Sequence, residues 1–190
     1  MTAESPTLGP ISTDRSDRAG VLQRGVGDLL ARGAIAGLFA GFIFLVASMG
    51  WAVKDDKPAV APMIDISTIF HNQDAPKPVQ ALEFGPDNLV VGLTTHLMLS
   101  MLFGIGFALI AAVLLRHRGP GLLALGGLGY GLLLYVVNFQ VLGRIFFEWF
   151  TNPMGPPQVF EAFIHAVFGL LLVPFFLGAV GRSSGRLSYS

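Results

Sequence analysis

The chain contains no cysteine. Disulfides, thiolate metal sites and cysteine nucleophiles are thereby excluded. Charge is scarce too: 13% of the 190 residues are Asp, Glu, Lys or Arg, about half of the roughly 25% usual in soluble domains. Twelve basic residues face twelve acidic ones, so no basic field exists to hold nucleic acid, and no such partner is expected. Histidine, at positions 71, 96, 117 and 165, is the only strong nitrogen ligand. There is no phosphate-binding glycine loop, no HExxH spacing and no nucleophile–base pairing, hence no enzyme signature.

What fills the chain instead is apolar sequence: 53% of residues are hydrophobic and mean hydropathy is +0.65. The clearest run is Leu89 to Leu115, twenty-seven residues without a formal charge. About 20 residues at 1.5 Å rise cross a ~30 Å hydrocarbon core, so this run reads as a membrane-spanning helix. Comparable spans are expected over 33–53, 121–142 and 159–180. Pro174 is expected to kink the last of them.

These spans divide the chain into a disordered or interfacial tail (1–32), a transmembrane domain (33–180) and a short second tail (181–190). Within the first tail, Val21 to Ala31 reads as a short amphipathic surface helix. The apolar run after this tail is too long for a secretory signal. Between spans one and two, Met63, Ile64, Ile66, Ile69 and Phe70 form an apolar patch about two turns long. It reads as a short helix on the membrane surface or over the bundle mouth. The segment from Gly143 to Gln158, with RIFFEWF, reads as an aromatic connector at headgroup level. The expected fold is therefore an all-α membrane protein, a four-transmembrane-helix bundle with one short outer-surface helix between spans one and two.

Basic residues set the expected orientation. The two tails and the Arg116–Arg118 turn hold eight of them, against Lys54, Lys57, Lys77 and Arg144 on the other side. Both termini are therefore expected in the cytoplasm, with the protein in the bacterial inner (plasma) membrane.

Small and polar residues recur at helical spacing. Gly92, His96, Ser100 and Gly104 form a stripe on the second span. Gly33, Gly37 and Gly41 form a tandem GxxxG on the first. Gly127 and Gly131 lead to Tyr135 and Asn138 on the third. On the fourth, His165 and Gly169 share a face, with Glu161 one turn before His165. Small residues let helix backbones approach closely, and lipid cannot satisfy an imidazole, so these faces should meet protein. Counting from the span ends, His96 and His165 lie roughly 9–10 Å below the outer surface, and Ser48 and Asn138 roughly 6–8 Å. The expectation is a bundle pinched at the cytoplasmic side and opening outward into a polar pocket of Ser48, His96, Ser100, Tyr135, Asn138, Glu161 and His165. Polar groups inside bundles also serve simply as interhelical hydrogen bonds. His117 reads as a solvated flank and His71 as loop.

The motifs HLMLSMLFG at His96, YGLLLYVVNF around Asn138, FFEWF, and IHAVFG at His165 resemble a group of small four-span bacterial membrane proteins. The resemblance runs from about Gly33 to Val180. It implies the fold and singles out His96, Asn138 and His165, but implies no reaction, because that group has no established activity.

Three functions follow as expectations. The foremost is a non-enzymatic accessory or assembly subunit, in contact with the lipid bilayer and with other membrane subunits or further copies of itself. The second is a cofactor protein, with the Nε2 atoms of His96 and His165 binding haem b or a divalent metal. The third is a small transporter or channel.

Overall fold

Why does the first helix begin where it does? A computed structural model describes residues 15–70, 85–115 and 119–177. In it, α1 runs unbroken from Arg15 to Lys54, 40 residues, or about 60 Å at 1.5 Å per residue. This corrects the expected tail to residue 32, at least from Arg15 onward, and the separate surface helix over 21–31. An apolar run marks where a helix becomes greasy, not where it starts. No proline lies between Pro10 and Pro58 to interrupt it, and Gly25 and Gly27 have open space around them. Its stretch Gly25–Lys54 is long and apolar enough to cross a membrane. At the other end Asp56 takes a left-handed conformation, φ 55°. The Lys57 N–H then bonds back to the Ala52 carbonyl at 2.9 Å and the Asp56 N–H to Val53 at 3.2 Å, a Schellman closure with aspartate in place of glycine.

The short helix α2 covers Ala61–Ser67. Side chains close its C-terminal turn: Ser67 Oγ donates to the Ile64 carbonyl at 2.7 Å and Thr68 Oγ1 to the Asp65 carbonyl at 2.6 Å. The helix α3 spans Pro86–Ile110 and widens into a π-helical turn over Ala111–Leu115. The helix α4 spans Pro120–Tyr135 and also continues as π-helix, over Val136–Gly143. Each begins slightly before the expected span, at a proline whose missing N–H costs nothing in the first turn. A 3-10 turn at Glu148–Thr151 leads to α5, Gln158–Leu172. Around Pro174 this last helix tightens to 3-10 over Val173–Phe176, because proline cannot donate to the α-helical ladder. Just beyond Pro174, Arg32 Nη1 donates to the Phe175 carbonyl at 3.4 Å.

Four helices are thus long and apolar enough to cross a membrane, and there is no strand among the described residues. Large apolar side chains such as Ile35, Phe42, Met98, Leu125 and Phe163 stand at least 60% exposed. An apolar exterior of that extent suits hydrocarbon rather than water. Residues 1–14, the loop 71–84 with His71, the Arg116–Arg118 turn with His117, and 178–190 lie outside the described residues.

Backbone contact holds the helices in two antiparallel pairs. On α1 and α3, a methyl group added at Gly37 would strike the Ser100 carbonyl, and one at Gly33 would lie 2.8 Å from the Gly104 carbonyl and Ala108 Cβ. Gly41 faces the Ser100 side chain in the same register. On α4 and α5, Gly131 lies on the His165 carbonyl, and Gly127 and Gly169 lie on each other's backbone. The pairs join through rings: Phe39 on Phe175, Phe44 on Phe168, and Trp51 on Phe160, with centroids 5.6, 6.4 and 4.6 Å apart. Ala36, Ala40, Phe107, Leu123, Leu172 and Phe176 fill the core at the end away from α2. Gly92 serves a different neighbour from the rest of its stripe: it receives the Met63 carbonyl of α2.

Candidate functional site

Small residues close one end of the bundle, and larger rings hold the other end open. Between α1, α3, α4 and α5, beneath α2, lies a cavity of about 370 Å³. Its walls are mostly apolar, with Phe44, Phe139, Phe160 and Phe168 among them. Ser48, His96, Ser100, Asn138, Glu161 and His165 all line it. Tyr135 does not; its ring stacks on Phe139 and stands 6.0 Å from the His165 ring. Its hydroxyl bonds to Gln158 Oε1 at 3.2 Å and accepts from Gln140 Nε2 at 2.7 Å, and Gln158 Nε2 in turn donates to the Phe150 carbonyl at 2.6 Å. The network fastens the π-helical end of α4 to the start of α5. The π turn also brings Phe139 into the buried position, with Asn138 beside it only half-buried.

The histidines are held by carbonyls. His96 Nε2 lies 2.8 Å from the Gly41 carbonyl, and because a carbonyl only accepts, this nitrogen carries the proton. His165 Nδ1 donates to the carbonyl of Glu161 at 2.7 Å, with the Glu161 carboxyl oxygen Oε2 3.7 Å away. In the neutral rings, His96 Nδ1 and His165 Nε2 are therefore acceptors. The Phe44 ring packs against both imidazoles, with centroids 5.6 and 5.0 Å away.

The pairing of two Nε2 atoms expected for haem or a metal is not the one the rings present: the Nε2 of His96 is bonded to the Gly41 carbonyl, which leaves its Nδ1 and the Nε2 of His165 as the unprotonated nitrogens. Among the described residues, no group of three His, Cys, Asp or Glu side chains is placed to hold a metal ion.

Two residues that line the cavity carry buried polar atoms with no hydrogen-bond partner among the described residues: the hydroxyl of Ser48 and the indole Nε1 of Trp51. Trp51 is stacked on Phe160, and Lys54 Nζ lies 4.2 Å from its ring centroid.

Sequence reasoning missed the pair that ties α2 down. Trp149 Nε1 donates to Asp65 Oδ1 at 2.8 Å across 84 residues of chain. Trp149 is buried against Ala52 and Ala61 rather than spread at an interface. Burial pushes the Asp65 carboxyl up to about 6, while the Trp149 bond and the charge of Lys57 pull the other way. The available signal was a lone acid inside the apolar segment Met63–Phe70, which needs a partner if that segment is to be covered.

Such a site can bind and orient a small amphipathic molecule. As the site stands, Ser48 is not bonded to a base, and the His96 N–H points at the Gly41 carbonyl. Comparison with protein-family models, with curated proteins and with solved structures gives no match to this chain.

Proposed function

We propose that this protein is a small, non-enzymatic subunit of a larger membrane assembly, and that its cavity holds an amphipathic small molecule taken from the bilayer. The observation that carries the reading is the cavity itself. Its walls are apolar, its volume suits a small ligand, and two of its buried polar atoms are left without partners. Such atoms cost roughly 1–3 kcal/mol each unless something meets them.

In this reading both termini are cytoplasmic, and the cavity lies in the outer leaflet beneath α2. The distribution of basic residues supports that orientation. The glycine-lined contacts at the other end speak against a continuous path, so a transporter is the weaker alternative. The test is purification in mild detergent, followed by mass spectrometry of both protein partners and solvent-extracted lipids. A co-purifying membrane subunit together with one small molecule at near-stoichiometric amount is the expected result. An isolated chain with an empty extract would refute the reading.

A further inference from the structure

Ser48 is only 5% exposed, and its hydroxyl and the Trp51 N–H are both buried without an acceptor. They lie three residues apart on α1, on one face, about 4.5 Å apart along the axis. An indole N–H can only donate, so the missing partner must bring an acceptor oxygen. His165 Nε2 supplies the opposite need. Its ring spends the Nδ1 proton on Glu161, which leaves an acceptor on the same cavity wall. Phe44, Phe139 and Phe160 give flat faces around the space. Net charge on the ligand is disfavoured. An anion would meet the carboxyl groups of Asp65 and Glu161, and a cation would leave the Trp51 N–H unmet. A neutral flat ring with a hydroxyl on each side satisfies all these groups, one oxygen accepting from Ser48 and Trp51 and the opposite hydroxyl donating to His165 Nε2.

We infer that the cavity takes the headgroup of a lipid-soluble quinone in its reduced, quinol form, one oxygen accepting from Ser48 and Trp51 and the far hydroxyl donating to His165 Nε2. This rests on the reading that the cavity holds an amphipathic molecule, and it names the class. The assignment concerns binding alone.

The experiment titrates the purified full chain in oxygen-free detergent with a decyl-substituted benzoquinol kept reduced and follows tryptophan quenching. Both tryptophans of the chain report on the region, Trp51 from the wall and Trp149 from behind Ala52 and Ala61. Saturable quenching is expected. Loss of one hydrogen bond in Ser48→Ala should raise the half-saturating concentration about three- to tenfold, whereas Ser48→Thr, which keeps the hydroxyl, should restore it. Trp51→Phe, read through Trp149, should weaken binding similarly. Quenching that never saturates, or that saturates identically in Ser48→Ala, overturns the quinone assignment. Solvent extracts separate the two levels of the argument. A near-stoichiometric quinone supports the assignment, and a different lipid at that level overturns it while leaving the amphipathic-ligand reading standing. An empty extract with no saturable titration defeats both.

Discussion

Replacing Gly37 by alanine adds a single methyl group, yet it should be among the most damaging changes available to the bundle. The new Cβ would overlap the Ser100 carbonyl oxygen and lie 2.9 Å from the Ser100 carbonyl carbon and 3.1 Å from Gly104 Cα. All three are backbone atoms, so no side-chain rotation relieves the clash, and α1 and α3 must part by on the order of 1 Å to reach ordinary contact. Overpacking of this kind costs about 1–3 kcal/mol. The separation also stretches the 2.8 Å bond from His96 to the Gly41 carbonyl, one turn further on, worth about another 0.5–1.5 kcal/mol. The expected loss is therefore about 2–4 kcal/mol. Gly50, on the same helix, is the internal control, because nothing lies within 4 Å of its Cβ position. There alanine should be neutral or stabilising by up to about 1 kcal/mol, from helix propensity alone. Thermal melts of the two variants in one detergent, followed by size-exclusion of a fluorescent fusion, should move in opposite directions. Coincident melting curves would refute backbone contact as what holds α1 to α3.

Reporter fusions after Gly119 and after Ser190 should behave as cytoplasmic, and a fusion at Ala75 as external; a cytoplasmic signal at Ala75 reverses the topology. Asp65 binds its proton more tightly when folded, at about 6 against 3.8, so its ionisation weakens the seating of α2 as pH rises from about 4 through 6. In a Trp51→Phe background, Trp149 emission should shift with a midpoint near pH 6. Asp65→Asn, which keeps the acceptor for Trp149, should remove that shift, and its persistence would assign the titration to another group. His96→Gln retains a donor for the Gly41 carbonyl and should melt within about 1 kcal/mol of the parent, whereas His96→Leu should lose about 1–2 kcal/mol. Added haemin should give identical spectra with the parent and His96→Leu, and a Soret band lost on substitution would restore the haem reading.

The long apolar helices were legible because their signal is local: an uncharged run of sufficient length announces itself without reference to the rest of the chain. The candidate cavity was partly legible for a similar reason, since helical spacing and depth place Ser48, His96 and His165 near one level before any contact is known. What escaped was whatever depends on an encounter. Nothing near Asp65 in sequence points to Trp149, and nothing near His96 shows that its proton goes to Gly41. The sequence predicts a helix over Val21 to Ala31, but its start at Arg15 and its unbroken run into the first span escaped because polar helix and polar coil share a composition. The π turn at Val136–Gly143 escaped because a constant 3.6-residue period was assumed, and that assumption carried the small-residue face on to Asn138 when the buried place belongs to Phe139.

The two kinds of helix contact imply an uneven mechanical landscape. Where backbone meets backbone, at Gly37 on Ser100 and Gly131 on His165, sliding by even a fraction of a turn drives carbonyls into Cα atoms, so each pair moves as one stiff body. Where ring meets ring, at Phe39 on Phe175, Phe44 on Phe168 and Trp51 on Phe160, side-chain torsions can absorb a small shear, and the bond crossing the seam from the exposed Arg32 to the Phe175 carbonyl is a long one, 3.4 Å. Spontaneous breathing of the bundle therefore concentrates along α1 and α5. That compliant seam forms part of the cavity wall, so the cavity can widen there without unfolding of either stiff half.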